Sequence, residues 1–178
     1  THCTSSAASD VYKRQARQFP GTPREKLAIV ATAYQVYSKR FPEEFELIME
    51  ARYSNLREKA SEQRVRENDA NDLHLLSIIH QQIESAVEQQ HLQLPKDITK
   101  DDICLGLWAM CFGVSVLHQA NDLLVNLDLS DPDTMMAKQL NCLLDGYGWH
   151  PLSHELDYES VLINARQQLF KHIELSTR

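Results

Sequence analysis

The chain has 178 residues, of which 43% are apolar and 24% charged, and this is the balance of one folded globular domain rather than of a disordered or fibrous protein. Five glycines and six prolines leave little turn chemistry for a fold of many strands, so the composition favours helices. The formal net charge of −7 argues against nucleic-acid binding by this chain alone, because such binding depends on Lys and Arg that neutralise phosphates.

The cysteine pattern indicates a reducing compartment. The four cysteines have no C-x-x-C spacing, and three of them lie in apolar helical stretches, where a free thiol behaves as a small hydrophobic group (Cys3, Cys104, Cys111, Cys142). The first 20 residues contain no apolar run that could serve as a signal peptide. We therefore expect a cytoplasmic protein.

The N-terminal segment differs in composition from the rest of the chain. Residues 1–18 are rich in Ser, Thr and Ala and have no helical or strand periodicity. We predict that residues 1–21 are disordered or non-native and that residues 22–178 form one folded domain.

The first helix is predicted to begin after Thr22, because a capping hydroxyl is followed by Pro23 at the first helical position and by Glu25 three residues after the cap. Apolar residues then recur at three- and four-residue spacing (Leu27, Val30, Tyr34, Tyr37). Pro42 ends this helix and opens a second one, which has glutamates in its first turn.

Four more helices follow in the predicted order. The charged stretch 60–71 is interpreted as a loop or frayed link, and the helices are expected over 72–90, over 99–123 and over 132–146, with Gly146 at a left-handed terminus. The last helix begins after Asp157. No period-two segment appears, so the sequence predicts an all-α bundle of about six helices.

The helix over 99–123 is apolar on nearly every side, so it must be covered on nearly every side. Its polar residues and its flanking aspartates favour a buried helix over a membrane span (Asp101, Asp102, Ser115, His118, Gln119, Asn121, Asp122). With few neighbouring helices, part of the cover is expected from a second copy of the chain, and glycines on the helix would allow close approach. Ordinary contacts within one chain are the alternative. The expected interface combines this helix with the next (Gly106, Ala109, Met110, Gly113, Leu117, Met136, Leu140, Leu143).

One cluster of polar residues could hold a metal. His80, Glu84, Glu88 and His91 lie close together on one helical face, and Glu-x-x-His is half of a di-iron motif. No second Glu-x-x-His exists, so a polar flank of the buried stripe is the favoured interpretation, and we expect no metal, no cofactor and no enzymatic activity. A helical-bundle metalloenzyme with a His/Glu site stays as the alternative.

Two segments of the chain resemble a known family. Thr22-Pro-Arg-Glu-Lys-Leu, with Tyr34 to Phe41 and Pro42-Glu-Glu-Phe-Glu-Leu-Ile-Met, resembles the start of the effector-binding domain of TetR-type transcriptional regulators. Gly106-Leu-Trp-Ala-Met-Cys-Phe-Gly113 and the helix after Asp131-Pro132 are similar to the two helices through which that family dimerises. The resemblance covers residues 20–150.

This resemblance implies a homodimer with a four-helix interface, and a probable repressor that responds to a small hydrophobic or amphipathic effector. The family binds DNA through an N-terminal helix-turn-helix, for which the residues before Thr22 are too few, so DNA binding is implied for the parent protein only. A set of mostly aromatic and apolar side chains on several helices has two interpretations. These residues either pack as ordinary core or line the effector cavity that the resemblance implies (Tyr34, Phe45, Met49, Tyr53, Ile79, His80, Ile83, Trp108, Phe112). A structural dimerisation module without a ligand is the remaining alternative.

Overall fold

The protein was analysed as a computed structural model, in which residues 18–43, 45–46, 62–119 and 132–169 are described. These residues form α-helices and no strand, which confirms the all-α class. The five helices are α1 (Pro23–Arg40), α2 (Glu62–Glu88), α3 (Lys100–Gln119), α4 (Pro132–Gly146) and α5 (Tyr158–Leu169). The predicted helix after Pro42 is helical as far as it is described, and its continuation lies outside these ranges, as do residues 1–17. Within the described ranges, no helix combines the length and the apolar character needed to cross a membrane.

Local capping confirms the predicted starts of three helices. At α1, the Glu25 carboxylate accepts from the Thr22 backbone N–H at 2.8 Å, and the Thr22 hydroxyl accepts from the Glu25 N–H at 3.3 Å. At α3, Asp102 accepts from the Thr99 N–H at 2.8 Å, and at α5, Asp157 accepts from the Ser160 N–H at 3.1 Å. Hydrogen bonds from the Thr99 and Ser160 hydroxyls and backbones lower the pKa of both aspartates.

Two local predictions are wrong. The stretch 62–71, expected to be a loop, forms the first part of α2, because Glu, Gln and Arg favour helix and an exposed Glu62–Arg66 pair at 3.2 Å connects successive turns. The left-handed glycine after α4 is Gly148, with φ of +67°, and not Gly146. Gly146 is the last residue of α4 itself, so the helix extends through the position that was expected to end it.

Helix α1 is the centre of the bundle and contacts all four of the other helices. Every residue from 27 to 33 is buried, so α1 is enclosed around its whole circumference rather than along one stripe. The segment 27–33 contains no charged residue and three alanines, so neighbouring helices can cover it on every side. The sequence indicated an enclosed helix at α3, whereas the structure places it at α1.

A buried arginine in the first turn of α1 forms an ion pair and hydrogen bonds with residues at the end of α4. The Arg24 side chain is 0% exposed, and its Nη2 lies 2.7 Å from Asp145 Oδ1 and 3.3 Å from Asn141 Oδ1. Its Nη1 donates to the Trp149 carbonyl, and the guanidinium lies 4.8 Å from the centre of the Tyr158 ring. We call these five residues the Arg24 clamp (Arg24, Asn141, Asp145, Trp149, Tyr158).

The connector between α4 and α5 is held by the same clamp. Asp145 accepts from both the backbone N–H (2.9 Å) and the hydroxyl of Ser153, while the Tyr158 hydroxyl donates to the Pro151 carbonyl at 2.7 Å. Burial alone would raise the pKa of Asp145, but the hydrogen bonds from Ser153 and Arg24 and the positive charge of Arg24 lower it overall.

The lowered pKa of Asp145 predicts acid sensitivity. A carboxyl whose pKa is lower in the folded than in the unfolded state stabilises the fold above its unfolded pKa, and this contribution is lost as the pH falls through the folded pKa. We expect the free energy of unfolding, measured with urea, to fall as the pH is lowered below about 4, the ordinary value for Asp. Asp145→Asn should be less stable than the native chain at pH 7 and should show a shallower decline over the same range. Parallel curves for the two proteins would contradict this assignment.

Candidate functional site

A small cavity lies between α1, α2, α3 and α4. Its volume is about 30 Å³, close to the share of one water molecule in the liquid. The wall that faces the cavity is entirely apolar, and ten residues line it (Leu27, Val30, Ala31, Tyr34, Leu75, Ile79, Leu107, Trp108, Cys111, Leu140). The cavity is therefore a gap in the main core, at the point where four helices meet around α1.

The structure brings three of the predicted pocket residues to this cavity, namely Tyr34, Ile79 and Trp108. Phe45 instead belongs to a second core cluster, with Ala33 and Tyr37, against which Phe112 packs. The remaining predicted residues lie elsewhere: Ile83 is fully buried in the main core, His80 is at the surface, and Met49 and Tyr53 are outside the described residues.

No charged side chain lines the cavity. Arg24 is held in the clamp, and His80 directs its Nε2 to Asp101 at 3.2 Å and its Nδ1 to Glu84 at 3.6 Å, on the outside of the bundle. Burial raises the pKa of the Cys111 thiol to about 12, so this lining residue is neutral at physiological pH. The cavity is thus uncharged as well as apolar.

Helix α3 is apolar on the side that faces away from the cavity as well. Its inner side supplies Leu107, Trp108 and Cys111 to the cavity wall, whereas Leu105 and Leu117 are 58% and 49% exposed. At 100° per residue, the outward apolar residues lie within about 120° of one another and extend for about 18 Å along the axis. We call this surface the outer face of α3 (Leu105, Ala109, Gly113, Leu117).

The predicted interface residues divide between this face and the interior. Ala109 and Leu117 are exposed, and a Cβ built on Gly113 would meet nothing within 4 Å. Met110 and Leu143 are half-buried against the main core. Met136 and Leu140 are 2% and 4% exposed, so they offer no surface to a second copy.

Gly106 packs against its own chain, because a Cβ there would lie 3.1 Å from the Tyr147 hydroxyl. The close approach expected at this glycine is therefore made within one copy. Leu105, which is more exposed than Leu117, was not among the predicted interface residues. Its position one residue from Gly106, on the apolar side opposite Leu107, was the signal available in the sequence.

The His/Glu cluster does not assemble as a metal site. Each ring nitrogen of His80 faces a different carboxylate, and Lys100 lies 3.2 Å from Glu84. Across the described ranges, no three His, Cys, Asp or Glu side chains are grouped so that they could hold a metal ion. In the connector, His150 pairs with Glu155 at 2.9 Å.

Comparison of the chain with protein-family models, with curated proteins and with solved structures found no match. The class that the described residues define is an all-α helical bundle with an apolar cavity beneath one helix and an apolar surface on the far side of that helix.

Proposed function

We propose that this chain is the ligand-sensing and dimerisation domain of a cytoplasmic TetR-like transcriptional regulator, acting as a repressor that responds to a small organic effector. The observation that carries the proposal is the two-sided character of α3, which lines a cavity with one side and exposes an apolar surface on the other. Both features are what the resemblance of the Gly106–Gly113 segment to a dimerisation helix implies.

Exposure of the outer face supports a second copy as its partner. A two-fold pair places the same surface on both sides, so an apolar face meets an apolar face. Leu105 and Leu117 then leave water together with their counterparts. Because each leucine is only about half exposed in one copy, burying it contributes about half of the roughly 1.5–3 kcal/mol for full burial. Gly113 and Ala109 between them allow the two helices to approach closely.

The effector would act through the inner side of the same helix. A molecule that enters the cavity shifts the position of α3 if it binds one arrangement of the bundle more tightly than another. The size of the shift depends on the difference between the two affinities. Because α3 also carries the outer face, such a shift changes the relative positions of the two copies. In the parent protein, this change would set the separation of the DNA-reading domains.

The proposal predicts that Leu105→Glu separates the dimer. Two carboxylates would be placed in an apolar interface and two buried leucines lost, so the dissociation constant should rise by at least about 100-fold. Sedimentation velocity over a dilution series measures this change.

The matched control is Leu73→Glu, which makes the same substitution at a leucine on α2 that is 67% exposed. This variant should dimerise as the native chain does. Equal behaviour of the two variants, or a monomeric native chain, would remove the basis of the proposal.

A dimerisation module without a ligand is favoured by one observation, the small volume of the cavity. At about 30 Å³ it is far below the roughly 300–1,000 Å³ of sites for drug-sized ligands. A dimer that is not stabilised by any member of a panel of small hydrophobic compounds would favour this module over the sensor.

A further inference from the structure

We infer that the cavity at the centre of the bundle binds small, uncharged, apolar molecules of the hydrocarbon type and rejects their charged analogues. This inference rests on the proposed function, because it names the class of effector for the same site. It follows from the chemistry of the cavity wall and from the places where the charged side chains of the bundle lie.

The wall offers a guest apolar contact and nothing else. Aliphatic and aromatic side chains and the Cys111 thiol, from α1, α2, α3 and α4, line the space, and no polar surface faces it. A larger apolar cavity, of about 150 Å³, stays dry and takes up xenon or benzene, because neither guest gives up hydrogen bonds to water on entry. A carboxylate or an ammonium group would lose its hydration and find no partner.

Charged groups that could compensate a charged guest are engaged elsewhere. Arg24 contacts Asp145, Asn141 and Trp149 at the start of α1. His80 and Lys100 face the acidic residues on the outer surface of α2 and α3. Cys111, on the wall itself, is held neutral by burial.

Tyr34 lies between the cavity and the second core cluster. Its ring lines the cavity and also stands edge-on to Phe45 of that cluster, with ring centres 5.3 Å apart. A guest that needs more space than the cavity offers, such as benzene, would gain it by displacing this ring.

The test compares benzene with benzoate and benzylammonium on the full chain by thermal unfolding, with xenon as the smallest probe by ¹²⁹Xe NMR. Benzene at ten times its dissociation constant should raise Tm by about 3–6 °C, and the two ions should leave it unchanged. Ala31→Leu places a larger side chain at the cavity wall and should abolish the benzene shift, whereas Ala70→Leu, the same change at an exposed position of α2, should preserve it. If Ala31→Leu does not fold, Ile79→Ala enlarges the cavity and should bind benzene severalfold more tightly than the native chain.

An equal shift with benzoate, a benzene shift that survives Ala31→Leu, or no response to either benzene or xenon would overturn the inference. Light scattering of the same sample separates this result from the proposed function. If the chain is a dimer but binds no neutral guest, only the inference about the class of guest is wrong. If the chain is a monomer that binds benzene and excludes benzoate, that inference is supported and the dimeric sensor is rejected.

Discussion

Asp145→Ala should lower the free energy of unfolding by about 3 kcal/mol, at the lower end of the range for breaking a buried ion pair. The substitution leaves the Arg24 guanidinium without its carboxylate while its side chain stays 0% exposed. The loss stays at the lower end because the Asp145 side chain is 30% exposed and the Trp149 and Asn141 oxygens still accept from Arg24. Equilibrium denaturation in urea measures the change, and Tm should fall by about 6–12 °C.

A surface ion pair provides the matched control. Glu62 and Arg66 are 3.2 Å apart, but their side chains are 90% and 71% exposed, so Glu62→Ala should cost only a few tenths of a kcal/mol. The double variant Arg24→Met/Asp145→Ala should be more stable than Asp145→Ala alone, because it removes the stranded charge. An Asp145→Ala variant as stable as Glu62→Ala would show that the clamp does not hold α1.

Trp149→Ala should cost about 3–5 kcal/mol, the range for removing a large buried aromatic side chain. Trp149 is 0% exposed and belongs to the main core, although it lies in the connector between α4 and α5. Its backbone carbonyl accepts from Arg24, so a collapse around the missing ring would also disturb the clamp. Thermal and urea unfolding of the variant test this prediction.

Trp149→Phe separates the contribution of the ring's volume to stability from that of its N–H group. Among the described residues, the buried Nε1 of Trp149 has no hydrogen-bond partner, and such a group costs about 1–3 kcal/mol. Replacement by Phe removes this group and leaves most of the packing, so the variant should lose less than half of what Trp149→Ala loses. A loss from Trp149→Phe equal to the loss from Trp149→Ala would contradict this account, in which the volume of the ring stabilises the fold and its N–H group does not.

The helix starts could be predicted because they depend on neighbouring residues. The capping box at Thr22 and Glu25 involves positions three apart, and the caps at Thr99 and Asp157 have the same spacing. The start of α2 could not be read in this way, because residues 68–72 include Asn and Asp, which are typical of turns, and the helix that begins at Glu62 nevertheless continues through them.

The packing of the bundle depends on partners far apart in the chain, and here the sequence was less informative. Arg24 was interpreted only as part of a capping segment, although Trp149 and Asn141 lie 125 and 117 positions away. An arginine that faces an apolar core next to a helix start, together with a tryptophan in a predicted connector, was the available signal.

The predicted cavity residues show the same limit. Helical spacing placed Tyr34, Ile79 and Trp108 on inward sides of three helices, and these do line the cavity. Spacing alone could not tell that Phe45 packs in a separate cluster or that His80 faces acidic residues outside. The angle at which each helix crosses α1 decides this, and that angle is set by tertiary contacts.

Helix α1 connects the cavity with the Arg24 clamp. Four residues from its middle line the cavity (Leu27, Val30, Ala31, Tyr34), and its first turn is fixed by the Arg24 clamp. A guest that displaces α1 therefore works against the clamp, so weakening the clamp should make the bundle easier to open. Guest binding and clamp variants can be combined to measure this coupling.

The mass of the native chain in solution tests the central claim, that the outer face of α3 is covered by a second copy. Light scattering coupled to gel filtration at micromolar concentrations should give twice the mass of one chain, and dilution should shift the population toward single copies. A mass of one copy that stays constant up to the highest concentration reached would contradict the account.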